Sequence, residues 1–299
     1  MTYRLGSLEL EHPVMNGSGT FDAIAARRAF GDAVLENFPF SAFVSKTITP
    51  DPRPGNPPPR LYETPSGMIN SIGLPNKGLD GFLEHDLPQL ADLPVPLVVS
   101  VMATDRAGFE RLVDGVSARE EVDAIELNVS CPNVKSGLIV GEQPAETLGL
   151  VAALRDRTEK PLVVKLTPNT ADPVAVALAA QEGGADGVSL INTLRAAAVA
   201  PGSGEPWLGA GSGGLSGPAV RAIALEQVRR VAASVSITVI GMGGIETARD
   251  AADFMASGAD MVAVGTANFR DPAAAMRVRE GLENGLRGPS SLDLNLRSN

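Results

Sequence analysis

A chain of 299 residues is too long for a mini-domain and about the size of one large α/β barrel, a fold that often runs to ~250 residues as a single unit. Lys and Arg number 25 against 35 Asp and Glu, a net charge of −10, so electrostatics gives the chain no reason to seek nucleic acid or an anionic membrane surface. The single cysteine, Cys131, excludes an internal disulfide and a Cys-ligated zinc or iron–sulfur site, and two histidines give no basis for a His-rich metal site.

The stretch from Met1 to Glu11 lacks the apolar core of a signal peptide, and no apolar run approaches the ~18 residues needed to cross a bilayer. The expectation is a soluble cytoplasmic protein. A hydrophobic fraction of 44% is enough for a sizeable core.

In chain order, short β-branched runs alternate with Ala/Leu-rich stretches whose apolar residues recur every three or four positions. The first strand, Val14–Asn16, leads to a helix over Ala23–Asn37. His12 just before it, like His85 further on, has no chemical company and reads as a surface residue. The second strand, Ala42–Thr47, ends in Lys46. Pro50–Gly67, with six prolines before Arg60, cannot be regular helix or central strand and is expected as an extended loop.

Leu97–Met102 is the third strand, followed by a helix over Arg106–Ser117. The fourth, Ala124–Asn128, runs into Ser130-Cys131-Pro132-Asn133, with a helix over Glu142–Arg157. The fifth, Leu162–Leu166, contains Lys165 and precedes Pro173–Glu182. The sixth, Gly187–Ile191, ends at Asn192-Thr193. Ala200–Gly217 is Gly-rich and reads as a long βα loop holding the lone Trp207, which either caps a ligand or packs. A helix follows over Pro218–Ala233. The seventh strand, Ile237–Gly241, meets Gly243-Gly244, with a helix over Ala248–Ser257. The eighth, Met261–Val264, meets Gly265-Thr266, with a last helix over Ala273–Glu283. Proline in a first turn at Pro173 and Pro218, and Gly183-Gly184, Gly258 and Gly281 as stops, punctuate the helices.

Eight strand–helix units predict a (β/α)₈ TIM barrel with long βα loops, one domain over residues 1–299. The alternative, a doubly wound open sheet, lacks a Gly-x-Gly-x-x-Gly after its first strand. A barrel's site forms where its strands end, which gathers Lys46, Asn128, Lys165, Asn192 and the two glycine turns at one mouth. Backbone N–H groups at the Gly243-Gly244 and Gly265-Thr266 turns suit a phosphate, since the loops after strands seven and eight often bind one. They could also be no more than tight turns. A lysine ending an apolar strand either snorkels to solvent or holds an anion; two of them beside a phosphate site favour a cofactor that develops negative charge. Cys131 is either an inert core thiol or, bracketed by Asn128, Ser130 and Asn133, a general base or nucleophile. Asn70, just after the proline segment, is a turn residue or joins Asn128, Asn133 and Asn192 in holding a planar ring that bears amides and a carboxylate.

These motifs resemble dihydroorotate dehydrogenase, class 1. The resemblance spans nearly the whole chain and is carried by Lys46-Thr47-Ile48-Thr49, Gly55-Asn56-Pro57-Pro58-Pro59-Arg60, Asn70 to Leu74, Glu126 to Asn133, Ile191-Asn192-Thr193 and Gly213 to Pro218. It implies a flavin-mononucleotide (FMN) barrel oxidising (S)-dihydroorotate to orotate in pyrimidine synthesis, with Cys131 as base. Flavin contacts carry over to Thr20, Lys46, Thr47, Ser100, Asn128 and Lys165, and to Ile191, Gly217, Gly243, Gly244, Gly265 and Thr266. Orotate contacts carry over to Lys46, Asn70, Ser71, Ile72, Gly73, Leu74, Asn128, Asn133, Asn192 and Thr193. Gly241-Met242-Gly243-Gly244 resembles class 1B, which implies a partner subunit carrying FAD and an iron–sulfur cluster that passes electrons to NAD, around a homodimer core of a heterotetramer. Leu74-Pro75-Asn76 is closer to the fumarate-dependent class 1A. A reading from another class, a non-catalytic flavin-binding barrel, is opposed by the base-capable Cys131.

Overall fold

The computed structural model describes residues 2–130 and 140–285. A first hairpin pairs β1 (Tyr3–Leu5) antiparallel with β2 (Leu8–Leu10). Eight parallel strands then form one sheet: β3 (Val14–Asn16), β4 (Phe43–Val44), β7 (Leu97–Val101), β8 (Ala124–Asn128), β9 (Leu162–Lys165), β10 (Gly187–Leu190), β13 (Thr238–Met242) and β14 (Met261–Val264). Their order, β3-β14-β13-β10-β9-β8-β7-β4, brings the first and second parallel strands to the two ends of the sheet. Those ends meet. The Ser41 N–H donates to Val14 O at 2.9 Å, and the buried Asn16 amide both donates to Val44 O and accepts from Val44 N–H at 2.8 Å, closing the predicted barrel.

Parallel strands covered on both faces need near-continuous burial, and Leu97–Val101 and Ala124–Asn128 are buried at every position. Asp123, Asp186 and Asp260, each just before a strand, accept the N–H of Leu97, Leu162 and Val239 on the neighbouring strand at 2.8 Å. Three carboxylates thus pin the strand starts. The surrounding helices begin on side-chain caps as polar N-caps should: Asp105 for Arg106–Ser117, Asp172 for Pro173–Glu182, and a Thr247/Asp250 capping box for Ala248–Ala256.

Several boundaries differ from the sequence reading. The first helix is two, Ala23–Phe30 and Ala33–Glu36, because Gly31 turns the chain at φ +70°. Gly281 lies inside Ala274–Glu283; a Cβ there would meet the Ala248 Cβ at 2.4 Å, so this glycine serves helix packing and not termination. The supposed loops contain strands. β5 (Leu61–Thr64) and β6 (Gly67–Asn70) form a hairpin, and β11 (Leu194–Ala196) with β12 (Gly213–Ser216) extends it into a four-stranded antiparallel sheet of order β11-β12-β6-β5. His12 is buried, not superficial: its Nδ1 accepts the Val14 N–H at 3.3 Å, and burial, aided by the Arg279 guanidinium, lowers its pKa to about 4.

The β1–β2 hairpin plugs the end of the barrel where the strands start. Leu5 and Leu10 pack with Met15, Val98, Ala124, Val163 and Met261 in one buried apolar cluster. The opposite end stays open.

Candidate active site

At that open end the strand termini surround a cavity of about 840 Å³, within the ~300–1,000 Å³ usual for small-molecule sites. β4 leads to Lys46 and Thr47, β8 ends in Asn128, β9 in Lys165, and β10 leads to Ile191, Asn192 and Thr193. Gly243-Gly244 follow β13, Gly265-Thr266 follow β14, and Gly17 to Thr20 follow β3. The four-stranded sheet contributes Asn70 and, beyond β12, Gly217, while Ser71 to Leu74 leave β6 along the cavity wall. Residues scattered over more than 240 positions therefore face one space.

Its electrostatics are uneven. Lys165 is only 7% exposed, and it forms no ion pair among the described residues; nor does the more exposed Lys46. Burying an uncompensated ammonium is costly, so such a lysine is built to meet an anionic guest. Around it the asparagines are interlinked. Asn192 Nδ2 donates to Ser130 Oγ at 2.9 Å and to Asn128 Oδ1 at 3.4 Å, and Asn192 Oδ1 accepts from Thr193 N–H at 2.9 Å. Asn128 Nδ2 faces Thr47 Oγ1 at 3.4 Å.

Backbone conformation shapes the wall. Leu74, a cavity residue, holds φ +52°, a left-handed conformation rare for a branched side chain and frequent at functional sites. Gly73 before it, at φ +76°, passes so close to Asn56 that a Cβ would lie 2.4 Å from the Asn56 nitrogen. Gly17 and Gly265 are different. Neither has a left-handed φ, and a Cβ on either would meet nothing nearer than 3.6 Å. Both line the cavity, so a side chain there would fill space that is otherwise open to a ligand.

Of the sequence-derived site residues, Thr20, Lys46, Thr47, Asn70 to Leu74, Asn128, Lys165, Ile191 to Thr193, Gly217, Gly243, Gly244, Gly265 and Thr266 all line this cavity. Ser100 does not: it is fully buried beneath it, its Oγ between Thr47 Oγ1 at 2.9 Å and Glu126 Oε1 at 3.0 Å. Cys131 and Asn133 lie outside the described residues. Trp207 packs edge-to-face on Tyr62 at 5.8 Å, donates to Leu61 O, and does not line the cavity. The sequence reading assigned no ligand contact to Ser18, Arg53, Ser130, Ser216 or Phe269, all in the lining. Arg53 was hidden by the prolines around it, and Phe269 by a helical turn that carries no motif.

Comparison with known proteins agrees with this architecture. The family model described as dihydroorotate dehydrogenase matches residues 2–286. The catalytic subunit of dihydroorotate dehydrogenase B (NAD(+)) from Pelobacter propionicus is 44% identical over 288 residues, covering 96% of this chain and 93% of that one. The subunit of the same name from Bacteroides thetaiotaomicron is 41% identical over 285 residues, covering 95% and 93%. Among solved structures, the crystal structure of DHODH from Eimeria tenella in complex with ferulenol superposes with a TM-score of 0.75 at 24% identity, covering 95% of this chain and 83% of that one, which establishes the shared fold.

Proposed function

The chain belongs to the dihydroorotate dehydrogenase family, and on that premise we propose that it oxidises (S)-dihydroorotate to orotate with FMN as cofactor and passes the electrons to NAD through a second polypeptide. The observation that carries this reading is the company of Lys46 and Lys165 with Asn70, Asn128 and Asn192 around one cavity. Two cations suit a carboxylate and a cofactor that gains negative charge, and three amides suit the paired donors and acceptors of a pyrimidine ring.

The cavity fits FMN. Gly243-Gly244 and Gly265-Thr266 offer backbone N–H groups and a hydroxyl to its phosphate, and bare Gly17 and Gly265 leave room for it. Lys165, itself only 7% exposed, would supply a fixed cation to its ring, a charge that counts most where water is excluded. Bound there, FMN supplies the hydride acceptor. Cys131 takes the C5 proton of the substrate as thiolate, and the C5–C6 double bond of orotate forms as hydride leaves C6. Asn70, Asn128 and Asn192 hold the ring, and Lys46 the carboxylate, in line for that transfer.

The onward path follows from the same sequence. One cysteine cannot hold a Cys₄ cluster, and the one Gly-x-Gly-x-x-Gly, Gly209 to Gly214, runs into the antiparallel strand β12 and opens no βαβ unit, so NAD chemistry needs a partner with its own FAD and iron–sulfur centre. Leu61 and Phe269 are exposed at the cavity rim, with Trp207 of the Gly-rich segment bonded to Leu61 O, an apolar surface of the kind a partner covers.

The test is spectroscopic. Anaerobic dihydroorotate should bleach the flavin of the purified protein, and NAD reduction should appear only when the partner is co-expressed. Flavin that stays oxidised would leave a non-catalytic barrel, and rapid turnover with fumarate would place the enzyme in class 1A.

A further inference from the structure

Glu126, on β8 beneath the cavity, is a carboxylate that the proposed chemistry does not use. It is 3% exposed, and its partners are two fully buried hydroxyls: Ser100 Oγ donates to Oε1 at 3.0 Å, and Ser189 Oγ donates to Oε2 at 3.1 Å. No Lys or Arg lies within 4.0 Å of it among the described residues. A carboxylate only accepts, and a buried one must be hydrogen-bonded, so both serine protons are committed to it.

Proton counting then sets a direction. Ser100 has one proton and gives it to Glu126, so the 2.9 Å contact between Ser100 Oγ and Thr47 Oγ1 carries the Thr47 proton. The Thr47 oxygen is left as an acceptor for Asn128 Nδ2 at 3.4 Å. Asn128 must therefore turn its oxygen the other way, where it accepts from Asn192 Nδ2 and from the Ser130 N–H, each at 3.4 Å. The chain runs one way, from Asn192 through Asn128, Thr47 and Ser100, and it ends on the carboxylate.

We propose that Glu126 is a positioning residue: from inside the barrel it fixes the direction of this hydrogen-bond chain and thereby the orientation of the Asn128 amide that meets the pyrimidine ring. The inference rests on the function proposed above. Ser189 is its built-in control, because it bonds the same carboxylate but its hydroxyl makes no other side-chain hydrogen bond among the described residues and so passes nothing on to Thr47 or Asn128.

The experiment uses the flavin-loaded protein, with orotate binding followed by calorimetric titration and folding followed by thermal unfolding. Ser100→Ala and Ser189→Ala each delete one buried hydroxyl from Glu126, so a merely structural role predicts equal effects. The positioning role predicts that Ser100→Ala weakens orotate about tenfold while Ser189→Ala stays within about twofold, tenfold being the scale of one hydrogen bond to a charged group. The dihydroorotate concentration giving half-maximal flavin reduction should rise in Ser100→Ala, with the limiting rate changed less. Glu126→Leu should match Ser100→Ala, and the double variant should bind no worse than the weaker single one. If Glu126→Leu does not fold, the serine pair decides alone. Equal losses in the two serine variants, or additive losses in the double, overturn the role. A parent protein that binds no orotate overturns it together with the function it rests on, whereas a parent that binds orotate alongside unaffected Ser100→Ala overturns the positioning role only.

Discussion

The two ends of the barrel are built from the same strands and lie two to four residues apart along each. On β8, Ala124 belongs to the apolar plug, Glu126 lies above it, and Asn128 lines the cavity. On β9, Val163 packs in the plug and Lys165 lines the cavity; from Met15 on β3 the cavity is reached at Gly17, and from Met261 at Gly265 by way of Ala263. One or two inward steps of a β-strand, two residues each, thus separate the apolar plug from the cavity wall. Variants at the cavity end should change chemistry and spare folding, and variants at the plugged end should do the reverse.

The largest effect expected at the cavity end is on Cys131. Cys131→Ser should slow flavin reduction by dihydroorotate on the order of 10²–10³-fold at pH 7, because a hydroxyl deprotonates far less readily than a thiol of pKa ~8.5. Its thermal midpoint should match the parent's. Stopped-flow reduction across pH checks this, with the parent's rate rising toward the thiol pKa; a serine variant as fast as the parent at pH 7 would remove Cys131 from the reaction.

The plugged end answers with stability. Leu5 is fully buried among apolar neighbours. Leu5→Ala should cost about 2–5 kcal/mol, the lost transfer energy plus the cavity left behind, while flavin reduction stays within about twofold of the parent. Denaturant unfolding and single-turnover kinetics measured together would show whether the two ends are as separable as the strand alternation implies. A Leu5→Ala protein of parental stability and impaired chemistry would reverse the comparison.

How much of this was legible in the sequence also divides by region. The barrel strands announced themselves because parallel strands buried on both faces read as β-branched runs, and Lys46, Asn128 and Lys165 stood out because polar residues end those runs. The four-stranded sheet was not legible. Its strand β12 is Gly213-Gly214-Leu215-Ser216, in which glycines, poor strand formers, are required: a Cβ at Gly213 would lie 2.3 Å from Asn70 O, and one at Gly214 1.9 Å from Thr193 Oγ1. Glycines that read as a loop are the sites of close backbone approach. His12 was misread for a similar reason, since nothing local reveals that its ring nitrogen caps the Val14 N–H. Ser100, carried over by motif, is fully buried and meets the cavity lining through Thr47.

His12 gives the stability of this region a pH dependence. Its pKa is about 4 in the folded chain, lowered chiefly by burial, against 6.5 for the free side chain. Between these values the unfolded chain binds a proton that the folded chain refuses, so stability is full above pH 6.5 and falls as pH drops toward 4. The loss should amount to roughly 2–3 kcal/mol by pH 4. His12→Asn, which keeps an acceptor for the Val14 N–H, should flatten that part of the pH–stability curve. An unchanged slope in the variant would assign the loss to other groups.

The smallest expected effect is also the sharpest on the boundary between the two layers, because it carries opposite signs at once. Gly265 follows β14, has no left-handed φ, and faces the cavity with its nearest prospective Cβ neighbour, Thr20 Cγ2, at 3.8 Å. Alanine there meets no clash and loses less backbone entropy on folding, so the flavin-free protein should gain about 0.4–1 kcal/mol. The same methyl occupies the space proposed for the cofactor phosphate, and FMN affinity should fall by about tenfold, the cost of one displaced contact. Thermal unfolding with and without added FMN reads both signs in one experiment: Gly265→Ala should unfold later than the parent when empty and gain less from saturating cofactor. A variant whose stabilisation by FMN equals the parent's would show that the glycine faces unused space, and that the phosphate sits elsewhere.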